Sequence, residues 1–394
     1  MGSADFPDRE DQDQMSTTPN GNFEKVDGSQ VPNIENNGEL SQNVPTFPEG
    51  GVRGSLVVLG AALSVFATFG WVNAWGVFQE YYQTHQLRSE SPSAISWIGS
   101  LQIFFQFAGM LVGGLTISPC FAATSHYFNK RRGAALGLVV AGSSLGGVVW
   151  PIVLNNLFSS TISFGWSIRL CAFIMLALLS VSVATVKARL PPRKGKFFLP
   201  SAFKNIQFDL LILAMFVANI GVFVPIFYLP TYAVEHGMSI NTSFYLPSVL
   251  NGASFLGRVV PGIIADKFGP LNLLSGAVIS TAILILCWTK ATTNVGFFVF
   301  AAVFGFCSGA IISLMSVAFT RIPNDPRQIG TYLGMGMIFV AVAVLIGPPI
   351  NGALVSRYGG FEQATIFSGV LSLAGGALVI IAKWAAGKGL LAKI

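Results

Sequence analysis

The 394 residues are 52% hydrophobic and only 10% charged, with 43 Gly, 33 Phe and a mean hydropathy of +0.64. Soluble domains carry about 25% charged residues, so this composition excludes a soluble enzyme, a nucleic-acid binder and a chain disordered throughout, and it points to the bilayer. The net charge of +6 is unevenly placed: residues 1–50 hold two basic and ten acidic residues, whereas 51–394 hold 21 basic and seven acidic ones.

Residues 1–50 have no apolar run and are rich in Asp, Glu, Asn, Gly and Pro. Such a segment cannot bury enough surface to offset its ordering entropy, and a disordered acidic cytoplasmic tail is expected. No basic stretch followed by an apolar one opens the chain, so a cleaved signal peptide is not expected. A hydrocarbon core of about 30 Å needs roughly 20 apolar residues per helix. The first run of this kind is 54–79, and a second, 91–129, contains no Lys, Arg, Asp or Glu. Others follow at 133–156, 166–186, 210–234, 242–265, 270–289, 295–320, 328–350 and 363–382. They lack the alternation of a membrane barrel, so helices are predicted.

The second run is long. As one helix, 94–128 would extend about 52 Å at 1.5 Å per residue, and tilt or a break at Gly113–Gly114 or Pro119 has to absorb the excess. Charge decides how often it crosses. With one crossing, sixteen basic residues fall on the side of the N-terminus: Lys130-Arg131-Arg132, those of Lys187 to Lys204, Arg258, Lys267, Arg321, Arg327 and those of Lys383 to Lys393. The opposite loops hold only Arg88, Lys290 and Arg357. This bias places both termini in the cytoplasm. The outcome is an all-α polytopic membrane protein with ten spans. Four lie in a bundle over 51–186 and six in a bundle over 210–385, joined by a basic linker at 187–209 and followed by a tail at 386–394. The linker suits anionic lipid headgroups.

Small residues recur at four-residue spacing: Gly133/Gly137 and Gly142/Gly146 in 133–151, then GFCSG at 305–309 and GTYLGMG at 330–336. This spacing lets helix backbones approach closely. Val149-Trp150-Pro151 and Gly347-Pro348-Pro349 are places where a helix can bend or stop. Cys120, Cys171, Cys287 and Cys307 lie in or beside apolar runs without metal spacing, as expected of buried small hydrophobes. The three histidines, His85, His126 and His236, are near span ends. No Ser-His-acid, metal or nucleotide constellation is apparent, so neither an enzyme nor a cofactor is expected.

PEGGVRGSLVVLGAALSVFATFGWVNAWGVFQEYY (48–82), SWIGSLQIFFQFAGMLVGG (96–114), YFNKRRGAALGLVVAGSSLGGVVWPIVLN (127–155), FGWSIRL (164–170) and LNGASFLGRVVPGIIADKFGP (250–270) resemble the fungal form of the monocarboxylate-transporter-like branch of the major facilitator superfamily. The resemblance implies a two-bundle fold of twelve spans in six-helix halves, with substrate held between the halves. This chain departs from it. MLVGG (110–114) runs almost directly into LTISPCFAATSHYFNKRRG (115–133), which resembles the end of the fourth helix. The third helix and most of the fourth look absent, with the junction near Gly113–Thr116. A natural deletion, a splice form or an incomplete gene prediction would each give this sequence.

The resemblance also implies roles. GIIADKFG (262–269) matches the superfamily's G-x-x-x-D-x-x-G pattern. Asp266, Gly262 and Gly269 are therefore structural or gating candidates, with Arg131, Arg132, Gly142 and Gly146 beside them. Asp266 suits helix N-terminal N–H groups and a basic neighbour. Arg258 lies inside its span, about 12 Å from the edge at helical rise, where an arginine faces the protein interior or snorkels. Its planar guanidinium suits a substrate carboxylate. It falls where the family's eighth helix carries an arginine. The aspartate that animal members place four residues earlier is here Ser254, and the lysine of their first helix has no counterpart in 54–79. A larger, less charged solute is therefore favoured over lactate or pyruvate. Asn73, Trp75, Gln102, Gln106, Tyr228, Asn251 and Ser254 are cavity candidates beside Arg258, with interhelical hydrogen bonding as the alternative for each. Arg169 reads as a structural or interfacial group, and Asn241-Thr242-Ser243 as a glycosylation sequon.

The function expected is alternating-access transport of a small organic solute: a monocarboxylate, a vitamin-like compound or a secondary metabolite. A proton is the candidate coupling ion, membrane lipids are the surroundings, a monomer is expected, and the plasma membrane is the expected location. The alternative is a truncated, non-transporting sensor or scaffold.

Overall fold

The computed structural model describes residues 47–90, 92–108, 117–190 and 198–385. All regular structure among them is helical. The N-terminal half contains α1 (Gly51–Val72), α2 (Trp75–Tyr81), α3 (Pro92–Ala108), α4 (Ile117–Tyr127), α5 (Arg132–Phe158) and α6 (Phe164–Thr185). The C-terminal half contains α7 (Ile206–Val222), α8 (Val224–Glu235), α9 (Ile240–Ser243), α10 (Tyr245–Phe268), α11 (Pro270–Cys287), α12 (Asn294–Arg321), α13 (Ile329–Tyr358) and α14 (Glu362–Ala385). Local chemistry sets several starts. The Asn205 side chain accepts from Gln207 N and Phe208 N ahead of α7, and Thr293 accepts from Gly296 N ahead of α12. Gly269, at φ 89°, turns the chain from α10 into α11 in a conformation that favours glycine.

Nine segments among the described residues are long and apolar enough to cross a membrane: Gly51–Phe78, α5, α6, Ile206–Glu235, α10, Pro270–Lys290, α12, Pro326–Tyr358 and α14. The tenth expected over 91–129 is divided. α3 has 17 residues and α4 has 11, each short of the roughly 20 a crossing needs. Residues 109–116, which carry the junction near Gly113–Thr116, lie outside the described residues. Pro119 breaks nothing, because it sits in the first turn of α4, where a proline N–H is not required.

The helix interruptions fall elsewhere than at the expected prolines. α1 gives way to α2 at Asn73–Ala74, and α7 gives way to α8 at Phe223, so the first span of each half is broken. α5 continues through Pro151, and α13 through Pro348-Pro349. In a packed bundle, neighbouring helices compensate the backbone groups that a proline frees. The cysteines also divide: Cys120 and Cys171 are buried, Cys307 is half-buried and Cys287 is exposed on the apolar surface.

α1 packs on α5, α6 and α4; α7 packs on α14 and α13; α10 packs on α12 and α11. The halves meet along α5–α10 and where α3 and α4 lie against α13. Glycine makes these approaches possible. A Cβ on Gly142 would lie 2.2 Å from Ala62 O, one on Gly146 2.5 Å from Phe66 O, and one on Gly133 2.3 Å from Gly262 O. α6 differs from α14, the last span of the other half. α14 lies against both α7 and α11 with 44% of its apolar window buried, whereas α6 lies chiefly against α1 with 11% buried. Trp166, Phe173, Leu176 and Val183 are exposed along it.

Gly142→Val is expected to cost about 1–3 kcal/mol by overpacking the α1–α5 contact. Gly165→Val, at a position with open space around it, should cost far less. Thermal melts of the two variants in detergent measure the difference.

Candidate functional site

Two features organise the interior: a capped helix start at the basic end, and a cavity between the halves. α5 begins without a side-chain cap of its own, which leaves its first N–H groups in need of partners. Asp266, on α10 of the other half, supplies them. Its Oδ1 accepts from Gly133 N at 2.8 Å and its Oδ2 from Ala134 N at 3.0 Å. Arg321 Nη2 lies 3.3 Å from the same Oδ1. Glu49 takes the preceding groups: Oε1 accepts from Asn129 N and Lys130 N at 3.0 and 2.7 Å, and Oε2 from Arg131 N at 3.2 Å. A negative group at a helix N-terminus also opposes the macrodipole favourably. Arg132 is 6% exposed and donates through Nη1 to Thr320 O, at the carbonyl end of α12, at 2.9 Å. Arg131 itself is exposed.

These contacts revise the tail assigned to 1–50. Residues 1–46 lie outside the described residues, but Glu49 is built into the fold, and its own N–H donates to Tyr127 O at 3.0 Å. Nothing in local sequence separates Glu49 from the tail's other acidic residues, because its partners lie about 80 positions away.

The cavity has a volume of about 200 Å³ and draws its walls from both halves. Asn73 and Trp75 come from the break between α1 and α2, Gln106 from α3, and Asn251, Ser254 and Arg258 from α10. Two of the predicted cavity residues are not in its wall. Tyr228 donates from its hydroxyl to Pro348 O at 3.1 Å, tying α8 to α13. Gln102 sits half-buried on α3, one turn before Gln106. The wall also contains groups that sequence reasoning missed: Ser143, Ser308 and Ser316, and an aromatic lining of Phe69, Phe107, Phe121, Phe223 and Phe227. Ser143 stands beside Ser144 in the glycine-rich run 133–151, and nothing in its spacing singled it out. Gly147 leaves the space in which the two asparagines converge; a Cβ there would lie 2.7 Å from Asn251 Oδ1 and 3.0 Å from Asn73 Nδ2.

Among the described residues, Arg258 is the one ionisable residue of the wall, and it is 5% exposed. Its Nη1 donates to Val140 O at 3.0 Å and to Ser143 Oγ, both on α5 of the opposite half. Its Nε is buried without a partner, and among the described residues no carboxylate pairs with it. A buried guanidinium held only by neutral acceptors is poorly compensated and attracts an anion.

The sequence profile of the Major Facilitator Superfamily matches residues 51–324 and, again, 253–389. The chain belongs to this superfamily. Within the superfamily it is 43% identical over 384 residues to the aspyridones efflux protein apdF of Emericella nidulans, covering 86% of this chain and 79% of that one. It is 35% identical to the agnestins efflux protein AgnL12 of Paecilomyces divaricatus, covering 90% and 92%. The fold is similar to that of the E. coli fucose:proton symporter FucP, with a TM-score of 0.58 at 15% identity over 83% of this chain and 98% of that one. The human organic anion transporter MFSD10 follows at a TM-score of 0.56 and 11% identity, covering 83% of each chain.

Of the remaining predicted residues of this superfamily member, Gly262 lies in the α5–α10 contact and Gly269 at the α10–α11 turn. Asn241 lies inside the short helix α9. Its side chain is outside the described residues. Arg169 places its guanidinium 5.0 Å from the Trp166 ring at the exposed end of α6.

Asp266→Ala removes a cap that spans the two halves and is expected to cost about 0.5–2 kcal/mol. Arg321→Ala removes only a partly exposed ion pair and should cost under about 1 kcal/mol. Chemical denaturation of both variants against the parent compares the two losses.

Proposed function

We propose that the protein is a secondary transporter that exports a small organic solute by alternating access, and that Arg258 receives an anionic group of that solute. The observation that carries the reading is Arg258 itself, buried in the wall of a cavity between the halves with an unsatisfied Nε. Broken first spans in corresponding positions of the two halves support it, since discontinuous helices mark transporter sites. The efflux proteins named for aspyridones and agnestins support export and favour a secondary metabolite over a lactate-like acid. The aromatic walls suit a solute with a flat apolar body, and Asn73, Gln106 and Asn251 supply hydrogen bonds to its polar edge. Assignment to the monocarboxylate-transporter-like branch rests on the segments 48–82, 96–114, 127–155, 164–170 and 250–270 taken together.

We assign gating to the basic end. Opening the cavity there separates α5 from α10 and α12, so Asp266 has to release Gly133 and Ala134, and Arg132 has to release Thr320. The reading places that end in the cytoplasm, by its charge, in the plasma membrane.

We also read the chain as lacking the third helix and most of the fourth. The alignment to apdF runs over 384 positions while taking in 86% of a 394-residue chain, so it spans more positions than this chain supplies residues. The bare flank of α6 agrees, because no helix among the described residues stands to it as α11 stands to α14.

Arg258→Gln is expected to lower export of aspyridones or agnestins, the first probes, by about 30-fold or more, the consequence of losing about 2 kcal/mol or more at a buried charged contact. Arg258→Lys should retain part of the flux. Export from cells with matched membrane levels of each variant is the measurement, and unchanged flux in Arg258→Gln would remove the site assignment.

A further inference from the structure

The charges around the cavity constrain how such transport is driven. Among the described residues, Arg258 is the one ionisable residue in the wall. The seven acidic residues of 51–394 are Glu80, Glu90, Asp209, Glu235, Asp266, Asp325 and Glu362. Glu90 and Asp325 lie between helices, and the others lie within a turn or so of a helix end. His85, His126 and His236 are likewise absent from the wall. Residues 109–116, outside the described residues, contain no ionisable side chain. An arginine keeps its proton under all ordinary conditions, and its partners, the Val140 carbonyl and the Ser143 hydroxyl, do not titrate in the ordinary range. Among the described side chains, which do not include that of Glu80, the site therefore holds a fixed positive charge and no group that could load and release a proton in step with substrate.

We propose that the protein carries its substrate as an organic anion without a proton, in a cycle that moves net charge and is driven by the membrane potential. This rests on the assignment of Arg258 to an anionic substrate. When a monoanion occupies the cavity, the guanidinium is neutralised and the loaded protein reorients with no net charge at the site. When the anion has left, Arg258 is uncompensated and reorients as a positive charge. One complete cycle thus moves one negative charge with the substrate, and a negative potential on the side of origin favours its departure. An inside-negative cell membrane then drives export, with a concentration ratio of about tenfold for each ~60 mV. The Ser254 position fits this scheme: a carboxylate one turn before Arg258 would fill the role the substrate is assigned here.

The test uses the full chain in sealed proteoliposomes, with naphthalene-1-sulfonate, naphthalene-1-carboxylate and neutral naphthalene-1-carboxamide as probes. The sulfonate stays ionised at every working pH, so it cannot bring a proton itself. Potassium gradients with valinomycin set the potential, and an internal dye reports pH. Either orientation of the protein in the vesicle gives the same sign. The expected result is that an interior-negative potential expels both anions towards the tenfold ratio per ~60 mV, that a pH gradient alone leaves sulfonate flux unchanged, and that the dye registers no proton movement with the sulfonate. Anion flux that follows the pH gradient and ignores the potential would overturn this proposal while leaving the Arg258 assignment standing. Flux of the carboxamide with neither anion carried, or no flux of any probe, would overturn both. A second variant checks the charge logic. Ser143→Asp places a fixed carboxylate on the guanidinium and is expected to reduce anion flux at least tenfold in correctly assembled protein; voltage-driven anion flux that survives it counts against the proposal.

Discussion

The start of α5 is the constraint on which the two-half arrangement turns. A helix that begins without its own cap leaves several N–H groups and the positive end of its dipole unsatisfied. Two carboxylates from distant segments complete it: Glu49 from just before α1, and Asp266 from α10 in the other half. One set of hydrogen bonds therefore seats the N-terminal segment, starts α5 and joins the halves. The Gly133–Gly262 contact allows the backbones to come close enough for this to happen. Because these bonds are polar, few and gathered at one end, they can be exchanged for water at modest cost. A continuous apolar interface could not be opened so cheaply.

Deeper in the bundle the balance reverses. Arg258 is also held across the α5–α10 seam, but by a carbonyl and a hydroxyl, and among the described residues by no carboxylate. The residue is 5% exposed with its Nε unpartnered, and the charge is left partly uncompensated. The same seam thus contains a satisfied polar latch at its end and an unsatisfied cation in its middle. The first suits a part that holds the halves together, and the second suits a part that waits for a ligand. The aromatic wall sharpens the contrast, since it adds contact area without adding countercharge.

The N-terminal half is thinner than its partner, and the effect is local. α6 keeps its seat on α1 while exposing most of its surface, which costs little where the surroundings are as apolar as the side chains. On the inner side of this half, α3 and α4 both lie against α13 and both contribute to the cavity wall.

Much of the fold was legible because its causes are local or cumulative. Run length and low charge predict membrane helices, and nine segments of that kind are present among the described residues. Glycine spacing marks close helix contacts, and an arginine inside an apolar run marks an interior charge. The failures are equally physical. Proline does not stop α5 or α13, because packing compensates what the local rule forbids. The break at Phe223 stands next to Pro225, but the break at Asn73–Ala74 has no proline or other strong breaker to reveal it. Glu49 and Ser143 were unreadable, since each draws its meaning from a partner on another helix. The sequence by itself determined the solvent, the helical class and the residues that bear charge, because those follow from composition and period. Only the tertiary structure decided which carboxylate caps α5, which serine faces Arg258 and which candidates share one cavity. A 3.6-residue repeat specifies a helical face but says nothing about the neighbour that face will meet.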